Sequence, residues 1–265
     1  MKITGFNHFQ LDSGDVEKTR AFYEALGGTT VQVMERKDGW KGYHVRLTHN
    51  TVIEIQPPRI PEECGGSDGW DHLALYVTDI EEMCRKVAAA GGRIEKKPTP
   101  NQVGDMKIIN AVTYGIDGEK IELIQKVEAE NDPNSGLILE TAHMQLNSMD
   151  VVQSRTFYEQ AFGGKTIVNI MDKQDVNKLK GFMVEIVDGS VIEIQPPRFG
   201  KSGKKSAWNT IAIETDDIEA ACRQIEAAGG IREVGPMEGQ MGTIAIRNAI
   251  IIGPSDEHIE LIELI

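Results

Sequence analysis

The octapeptide VIEIQPPR occurs twice in the chain, at residues 52–59 and again at residues 191–198. A second pair of related segments is also present, with one member after each copy of the octapeptide. GWDHLALYVTDIEEMCRKVAAAGG at residues 69–92 matches AWNTIAIETDDIEAACRQIEAAGG at residues 207–230, and the two pairs have nearly the same separation. Because repeats of this kind decide an architecture more directly than local propensity does, the sequence predicts two homologous halves.

Each half divides again into two units of the same order. A short alternating strand comes first, then a capped amphipathic helix that ends at Gly-Gly, then three strand-like runs. In the second unit, Asp79 and Glu82 are spaced for a reciprocal N-terminal cap, and Gly91 suits a left-handed helix exit. The sequence therefore predicts an α+β fold of four βαβββ modules, numbered here in chain order. One module cannot cover both sides of its own sheet, so we expect the modules to pair.

Composition limits the classes of function. The 265 residues include 28 Lys and Arg against 41 Asp and Glu, and the resulting charge of −13 disfavours binding to nucleic acid or to a membrane surface. No apolar run approaches the roughly 18 residues of a membrane span. Three cysteines without CxxC spacing indicate reduced thiols. We therefore expect a cytoplasmic protein that acts on a small molecule.

Residues with metal-binding side chains recur at equivalent positions, one on the first strand and one on the last strand of each module. In module order the pairs are His8 and Glu54, His72 and Glu122, His143 and Glu193, and Thr210 and Glu260. A carboxylate on an inward strand position is costly to bury without a partner. Two imidazoles with two carboxylates suit one divalent ion such as Zn, Ni, Co, Mn or Fe. The pattern therefore predicts a metal site.

These motifs resemble those of the vicinal oxygen chelate superfamily, which includes glyoxalase I, methylmalonyl-CoA epimerase, extradiol dioxygenases and bleomycin resistance proteins. The resemblance rests on His8 with the FY-containing helix that follows it, VIEIQ around Glu54, DHLALYVTDIEE around His72 and DGEKIELIQ around Glu122. It covers the whole chain and implies two cupped mixed sheets, each made from two modules. Likeness to bacterial-type glyoxalase I implies that His8, Glu54, His72 and Glu122 hold the ion.

The order in which the modules pair stays open at this point. The short connector at residues 59–67 favours sequential pairing, which gives a domain at 1–128 with the complete site and a degenerate domain at 137–265. Pairing of the second module with the third, and of the first with the fourth, yields another set. That alternative set is His72, Glu122, His143 and Glu193, so His72 and Glu122 belong to both.

The resemblance also implies a type of reaction. A metal-dependent isomerase, epimerase or lyase would chelate two adjacent substrate oxygens and transfer a proton through a metal-stabilised enediolate, with Glu122 and Glu54 as catalytic residues. Two other functions stay open: an Fe(II)-dependent extradiol-type dioxygenase, and a protein that binds a drug or metabolite without chemistry. A homodimer is also an option, although four modules in one chain supply internally what smaller relatives achieve by dimerising.

Several further residues are singled out by position. Gln10, Gln56 and Arg59 are candidate substrate contacts, because the two glutamines share a strand face with His8 and Glu54 respectively. His44, which stands opposite Met183 of the second half, is interpreted as either a cavity wall or a surface residue. Two further assignments are structural: His258 is expected to be solvated, and Trp70 and Trp208 are expected to pack at strand starts.

Overall fold

The computed structural model describes residues 1–58, 69–128, 136–172, 174–175, 177–187, 189–197 and 206–265. The first module consists of β1 (Ile3–Asp12), α1 (Val16–Ala25), β2 (Thr29–Glu35), β3 (Lys41–Thr48) and β4 (Thr51–Gln56). The second consists of β5 (Trp70–Val77), α2 (Ile80–Ala89), β6 (Arg93–Val103), β7 (Met106–Tyr114) and β8 (Lys120–Lys126). The predicted βαβββ order is confirmed in both.

The second half repeats this order. Its third module consists of β9 (Ile138–Asn147), α3 (Val151–Phe162), β10 (Lys165–Met171), β11 (Leu179–Val187) and β12 (Ser190–Gln195). Its fourth consists of β13 (Trp208–Thr215), α4 (Ile218–Ala227), β14 (Ile231–Met241), β15 (Ile244–Ile252) and β16 (His258–Leu264). Within the ranges that the structure describes, no helix is both long enough and apolar enough to cross a bilayer.

The strands form two eight-stranded mixed sheets, each curled into a cup. One sheet has the order β10-β11-β12-β9-β5-β8-β7-β6 and joins the second and third modules; we call it the inner cup. The other has the order β14-β15-β16-β13-β1-β4-β3-β2 and joins the first and fourth modules; we call it the outer cup. In each cup the first strands of the two modules pair antiparallel across the middle. The predicted pair of cupped sheets is confirmed.

The preference for sequential pairing is wrong, because each sheet takes one module from each half. That preference relied on a connector that falls within residues 59–68, outside the described residues. Three connectors join successive modules, and they cover residues 57–69, 127–137 and 196–207. Since they are nearly equal in length, connector length carries no information about which modules pair. The proposed boundaries at 1–128 and 137–265 stay a prediction.

The helices begin and end at the residues that the sequence indicates. The side chain of Asp79 accepts a hydrogen bond of 2.9 Å from the backbone N–H of Glu82, and the aspartates before the other three helices cap them similarly. Gly91 adopts a φ of +95°, a conformation that favours glycine. These local signals coincide with the start and end of α2. A tertiary contact adds to them, because the backbone N–H of Ile80 donates to Gln125 Oε1 of β8 at 3.0 Å.

Two tryptophans connect the two sheets. Trp70 and Trp208 are the first residues of β5 and β13, and both are buried, which confirms the packing expected at these strand starts. The indole N–H of Trp70 donates to the carbonyl oxygen of His258 at 2.9 Å, and that of Trp208 donates to the carbonyl oxygen of Lys120 at 2.8 Å. Each bond therefore runs from one cup to the other.

Two buried glutamates tie together the modules of each half. Glu119 accepts a hydrogen bond of 3.1 Å from the hydroxyl of Tyr23, and Glu257 accepts one of 2.7 Å from the hydroxyl of Tyr158. Both glutamates are fully buried. Burial raises the pKa of Glu119 to about 8 and that of Glu257 to about 7. Both carboxyls therefore hold a proton in the folded protein at pH values where the unfolded chain has lost it.

These two groups make stability depend on pH. A carboxyl with a raised folded pKa takes up a proton on folding, so its contribution is complete below the unfolded pKa of 4.5 and is lost as pH rises through about 8. We expect the free energy of unfolding to fall across this interval, and we expect Glu119→Gln/Glu257→Gln to weaken that fall. Urea unfolding at a series of pH values measures the free energy of unfolding of the wild type and of the variant. An equal pH slope in the variant would contradict the assignment.

Candidate metal centre

Four metal-binding side chains meet at the centre of the inner cup. They are His72 on β5, Glu122 on β8, His143 on β9 and Glu193 on β12, and their ligand atoms all lie within 4.8 Å of one another. His143 Nε2 is 3.0 Å from Glu193 Oε2 and 3.5 Å from Glu122 Oε2. His72 Nε2 is 3.3 Å from Glu122 Oε2. Each of the two modules supplies one imidazole and one carboxylate.

Strand register brings the four residues together. Ala74 on β5 pairs with His143 on one side and with Glu122 on the other. In the same way, Gln145 on β9 pairs with His72 on one side and with Glu193 on the other. Residues paired across a ladder project from the same face of a sheet. The small side chain of Ala74 leaves space above it, so the flanking imidazole and carboxylate can approach each other over the sheet.

A carboxylate behind His72 fixes its orientation. His72 Nδ1 is 2.7 Å from Asp71 Oδ2, and the same oxygen accepts from Lys120 Nζ at 2.5 Å. Asn147 Nδ2 donates to the other oxygen of Asp71 at 3.2 Å. Although burial raises the pKa of Asp71, its bond with His72 and the Lys120 ammonium lower that pKa overall. An ionised partner at Nδ1 leaves Nε2 free to bind a metal, as metal-ligating histidines require.

Amide side chains hold one oxygen of each carboxylate. Asn110 Nδ2 donates to Glu122 Oε1 at 2.6 Å, and Gln195 Nε2 donates to Glu193 Oε1 at 2.5 Å. In both residues it is the other oxygen, Oε2, that faces the imidazoles. This arrangement orients each carboxylate and leaves one oxygen available at the centre of the cluster.

The cluster fits a divalent cation. His143 is buried, and its Nε2 lies beside two carboxylate oxygens without forming a well-directed hydrogen bond to either. Burial lowers the pKa of His143, but the carboxylates of Glu193 and Glu122 outweigh it and raise the pKa to about 10. The cluster therefore attracts positive charge. Two imidazoles with two carboxylates form a donor set that suits a first-row divalent ion.

The preferred ligand set from the sequence is not brought together. His72 and Glu122, which both pairings shared, lie in the inner cup, whereas His8 and Glu54 lie in the outer cup because the first module pairs with the fourth. The alternative set is the one that the fold assembles. In this cluster Glu193 stands where the preferred set had Glu54, and His143 stands where it had His8. That an ion binds there stays a prediction.

The outer cup contains a second, different cluster. His8 Nε2 lies 2.9 Å from Glu54 Oε2 and 3.4 Å from Glu260 Oε2. Thr210 stands where the inner cup has His72, and its hydroxyl donates to the Asn209 side chain at 2.9 Å. The sequence left the place of His44 open, and the structure buries it beside Glu54.

The candidate substrate contacts do not line the inner cup. Gln10 and Gln56 lie on β1 and β4 of the outer cup, where Gln10 Nε2 donates to Asp12 Oδ1 at 3.3 Å. Arg59 lies outside the described residues. The roles of Gln10 and Gln56 as substrate contacts stay a prediction, now for the outer cup, and the role of Arg59 stays a prediction as well. His258 is half-exposed, and its Nε2 lies 3.8 Å from a carboxylate oxygen of Glu233.

Asp71 and Asn110 were missed as site residues, whereas His44 had been interpreted as either a cavity wall or a surface residue. For Asp71 a signal exists, because the residue before His72 is a carboxylate while the residue before Thr210 is the amide Asn209. The histidine of the second module and its supporting carboxylate are therefore both absent from the fourth module.

Asn110 also leaves a signal, because Asn248 stands at the matching position of the fourth module. Its contact with Glu122 nevertheless depends on the register of β7 against β8.

Known proteins resemble this chain in sequence and in fold. A sequence profile of the Glyoxalase/Bleomycin resistance protein/Dioxygenase superfamily matches residues 5–123 and 141–261. A protein of Brassica oleracea named "Putative lactoylglutathione lyase" is 28% identical over 254 residues, which cover 90% of this chain and 85% of that protein. An Arabidopsis thaliana protein named "Probable lactoylglutathione lyase, chloroplastic" is 26% identical over 244 residues, which cover 85% of this chain but only 64% of the relative.

A crystal structure of a glyoxalase I mutant from Zea mays has the same fold. It superposes with a TM-score of 0.77 over 98% of this chain and 92% of the maize chain, at 22% sequence identity. At that identity the likeness concerns the fold alone. The profile match covers most of both halves, in agreement with the four modules and the two cups. The chain belongs to the Glyoxalase/Bleomycin resistance protein/Dioxygenase superfamily.

Proposed function

We propose that the inner cup holds one divalent metal ion and that the protein is a glyoxalase-like lyase. The observation that carries this proposal is the four-residue cluster, whose two imidazoles and two carboxylates converge with all ligand atoms within 4.8 Å of one another. The names of the relatives support the choice of reaction. The substrate class we propose is the adduct of a 2-oxoaldehyde with glutathione, and the product is the isomeric 2-hydroxyacyl thioester.

His72, Glu122, His143 and Glu193 would hold the ion. When bound, the ion supplies Lewis acidity that polarises neighbouring substrate oxygens and acidifies the adjacent C–H group. The isomerisation needs no other reagent, because two protons change place. One passes from the carbon that bears sulfur to the neighbouring carbon, and the hydroxyl proton passes from the oxygen of the first carbon to the oxygen of the second. Bases for this transfer must come from the chain itself.

Glu122 and Glu193 are the candidate bases. Each has one oxygen held by an amide and the other directed at the centre of the cup. Their side chains are 14% and 12% exposed, so they are reachable from the mouth of the cup yet largely shielded from water. A carboxylate held at one oxygen keeps its position while the other oxygen accepts a proton.

The test is thioester formation from methylglyoxal and glutathione, with metal-free protein reloaded separately with Zn²⁺, Ni²⁺ or Co²⁺. We expect activity with at least one ion, and a decrease in kcat of more than about 100-fold in Glu122→Gln or in Glu193→Gln. Glu95→Gln is the control, because Glu95 pairs with Arg93 at the surface.

Three results would contradict the proposal or part of it. Absence of thioester formation with all three ions, in protein shown to contain them, would remove the lyase function while leaving the metal site. Oxygen uptake with a catechol and Fe²⁺ would instead favour the extradiol-type dioxygenase. Undiminished activity in both glutamate variants would assign proton transfer to other residues.

A further inference from the structure

We propose that the outer cup is a second divalent-metal site, in which His44 replaces the imidazole that is missing at Thr210. The donors are His8, His44 and Glu54, whose ligand atoms lie within 4.8 Å of one another, with Glu260 beside His8. This inference does not rest on the ion proposed for the inner cup, because the two clusters lie on different sheets.

The two imidazoles lie beside different oxygens of one carboxylate. His8 Nε2 lies 2.9 Å from Glu54 Oε2, and His44 Nε2 lies 3.6 Å from Glu54 Oε1. Both nitrogens are buried, with the residues only 2% and 4% exposed, and neither forms a well-directed hydrogen bond. Two buried imidazole nitrogens that face one carboxylate in this way form a site that a cation can complete.

The imidazole pair of the outer cup has nearly the spacing of the inner pair. The ring centroids of His8 and His44 are 5.3 Å apart, and those of His72 and His143 are 5.5 Å apart. An asparagine side chain also donates to the equivalent last-strand glutamate in both cups. Asn248 Nδ2 donates to Glu260 Oε1 at 2.8 Å, as Asn110 donates to Glu122. The outer cup therefore offers a donor set of the same composition, but built from other positions.

Histidine at this strand position is peculiar to the first module. His44 pairs with Glu54 across β3 and β4, and the residues paired with the equivalent glutamates of the other modules are all apolar. Those residues are Val112, Met183 and Ile250. A buried imidazole thus occupies an otherwise apolar position, and it does so in the one cup that has threonine in place of a first-strand histidine.

The carboxylates of the outer cup are as exposed as those of the inner cup. Glu54 is 13% exposed and Glu260 is 12% exposed, against 14% and 12% for the inner carboxylates. Solvent therefore reaches the carboxylates of both clusters to a similar extent. Two imidazoles and one or two carboxylates select an ion of the Co²⁺, Ni²⁺, Zn²⁺ or Fe²⁺ type over Mg²⁺ or Ca²⁺, which prefer oxygen ligands.

The direct test is titration of the metal-free full chain with Co²⁺, followed by its visible absorption and by equilibrium dialysis. In a His72→Ala background we expect about one Co²⁺ to remain, and we expect His72→Ala/His44→Met to bind it more than about 100-fold more weakly. Methionine is chosen because Met183 fills the equivalent position of the third module. The matched control is His72→Ala/Thr210→Ala, in which we expect the remaining ion to stay bound.

Each outcome decides one of the two sites. Retention of the ion with unchanged affinity in His72→Ala/His44→Met would overturn the role of His44, and absence of any ion in His72→Ala would overturn the outer site. If the inner cup binds no ion, the wild type would bind one ion, and His44→Met would remove it. Imidazole nitrogen NMR of the wild type with Zn²⁺ needs no variant: shifts in four of the six histidines support two sites, whereas shifts in His72 and His143 alone overturn the second.

Discussion

Replacing His143 with alanine is expected to remove about one metal ion per chain and to lower the proposed lyase activity by more than about 100-fold. Loss of a residue that merely supports a metal ligand typically costs 10- to 100-fold, so loss of a ligand should cost more. His143 lies 3.0 Å from Glu193 and 3.5 Å from Glu122, and no other imidazole of the described residues can replace it in the inner cup. Elemental analysis and the thioester assay measure the two effects.

This variant also tests the pairing of the modules. With sequential pairing His143 would belong to the incomplete set, and its removal would leave the active cup intact. His72→Ala is expected to match His143→Ala, whereas Thr210→Ala, at the position equivalent to His72, is expected to keep both the ion and the activity. Full metal content and full activity in His143→Ala would show that the inner cup is not the catalytic centre.

Replacing Trp70 with alanine is expected to lower the free energy of unfolding by about 3–5 kcal/mol. The side chain is 1% exposed, and its removal leaves a large cavity between the sheets. It also removes the hydrogen bond that the indole N–H donates to the His258 carbonyl. Chemical unfolding followed by far-ultraviolet circular dichroism measures the loss, and Trp208→Ala is expected to cost a similar amount.

Trp40 provides the control for this prediction. It is half-buried in the turn between β2 and β3, where it contacts Arg36 rather than the core. Its replacement by alanine is expected to cost less than about 1 kcal/mol. If Trp70→Ala were as mild as Trp40→Ala, the indole would not be the element that holds the two cups together.

Local structure and residue types could be predicted from the sequence, whereas the pairing of the modules could not. Helix caps such as Asp79 and exits such as Gly91 are signals a few residues long, and the duplication repeats them. Pairing depends instead on which edges of four similar modules meet. All four first strands carry similar patterns, and all three connectors have nearly equal lengths, so neither property distinguishes the two arrangements.

The candidate sites show the same division. Histidines and glutamates at equivalent positions identified His72 and Glu122 under either pairing, but their partners followed from the sheet order. His44 could not be placed because comparison of the halves sets it opposite Met183, an ordinary core residue. Its position in the outer cup follows only from the register of β3 against β4, which pairs His44 directly with Glu54.

The crossed pairing of modules has a consequence for how the chain is held together. The inner-cup cluster takes His72 and Glu122 from the N-terminal half and His143 and Glu193 from the C-terminal half. A cation bound by all four is therefore a reversible cross-link between segments that are remote in the chain. Because such a cation binds only the folded arrangement, its supply would set the resistance of the protein to unfolding as well as its chemistry.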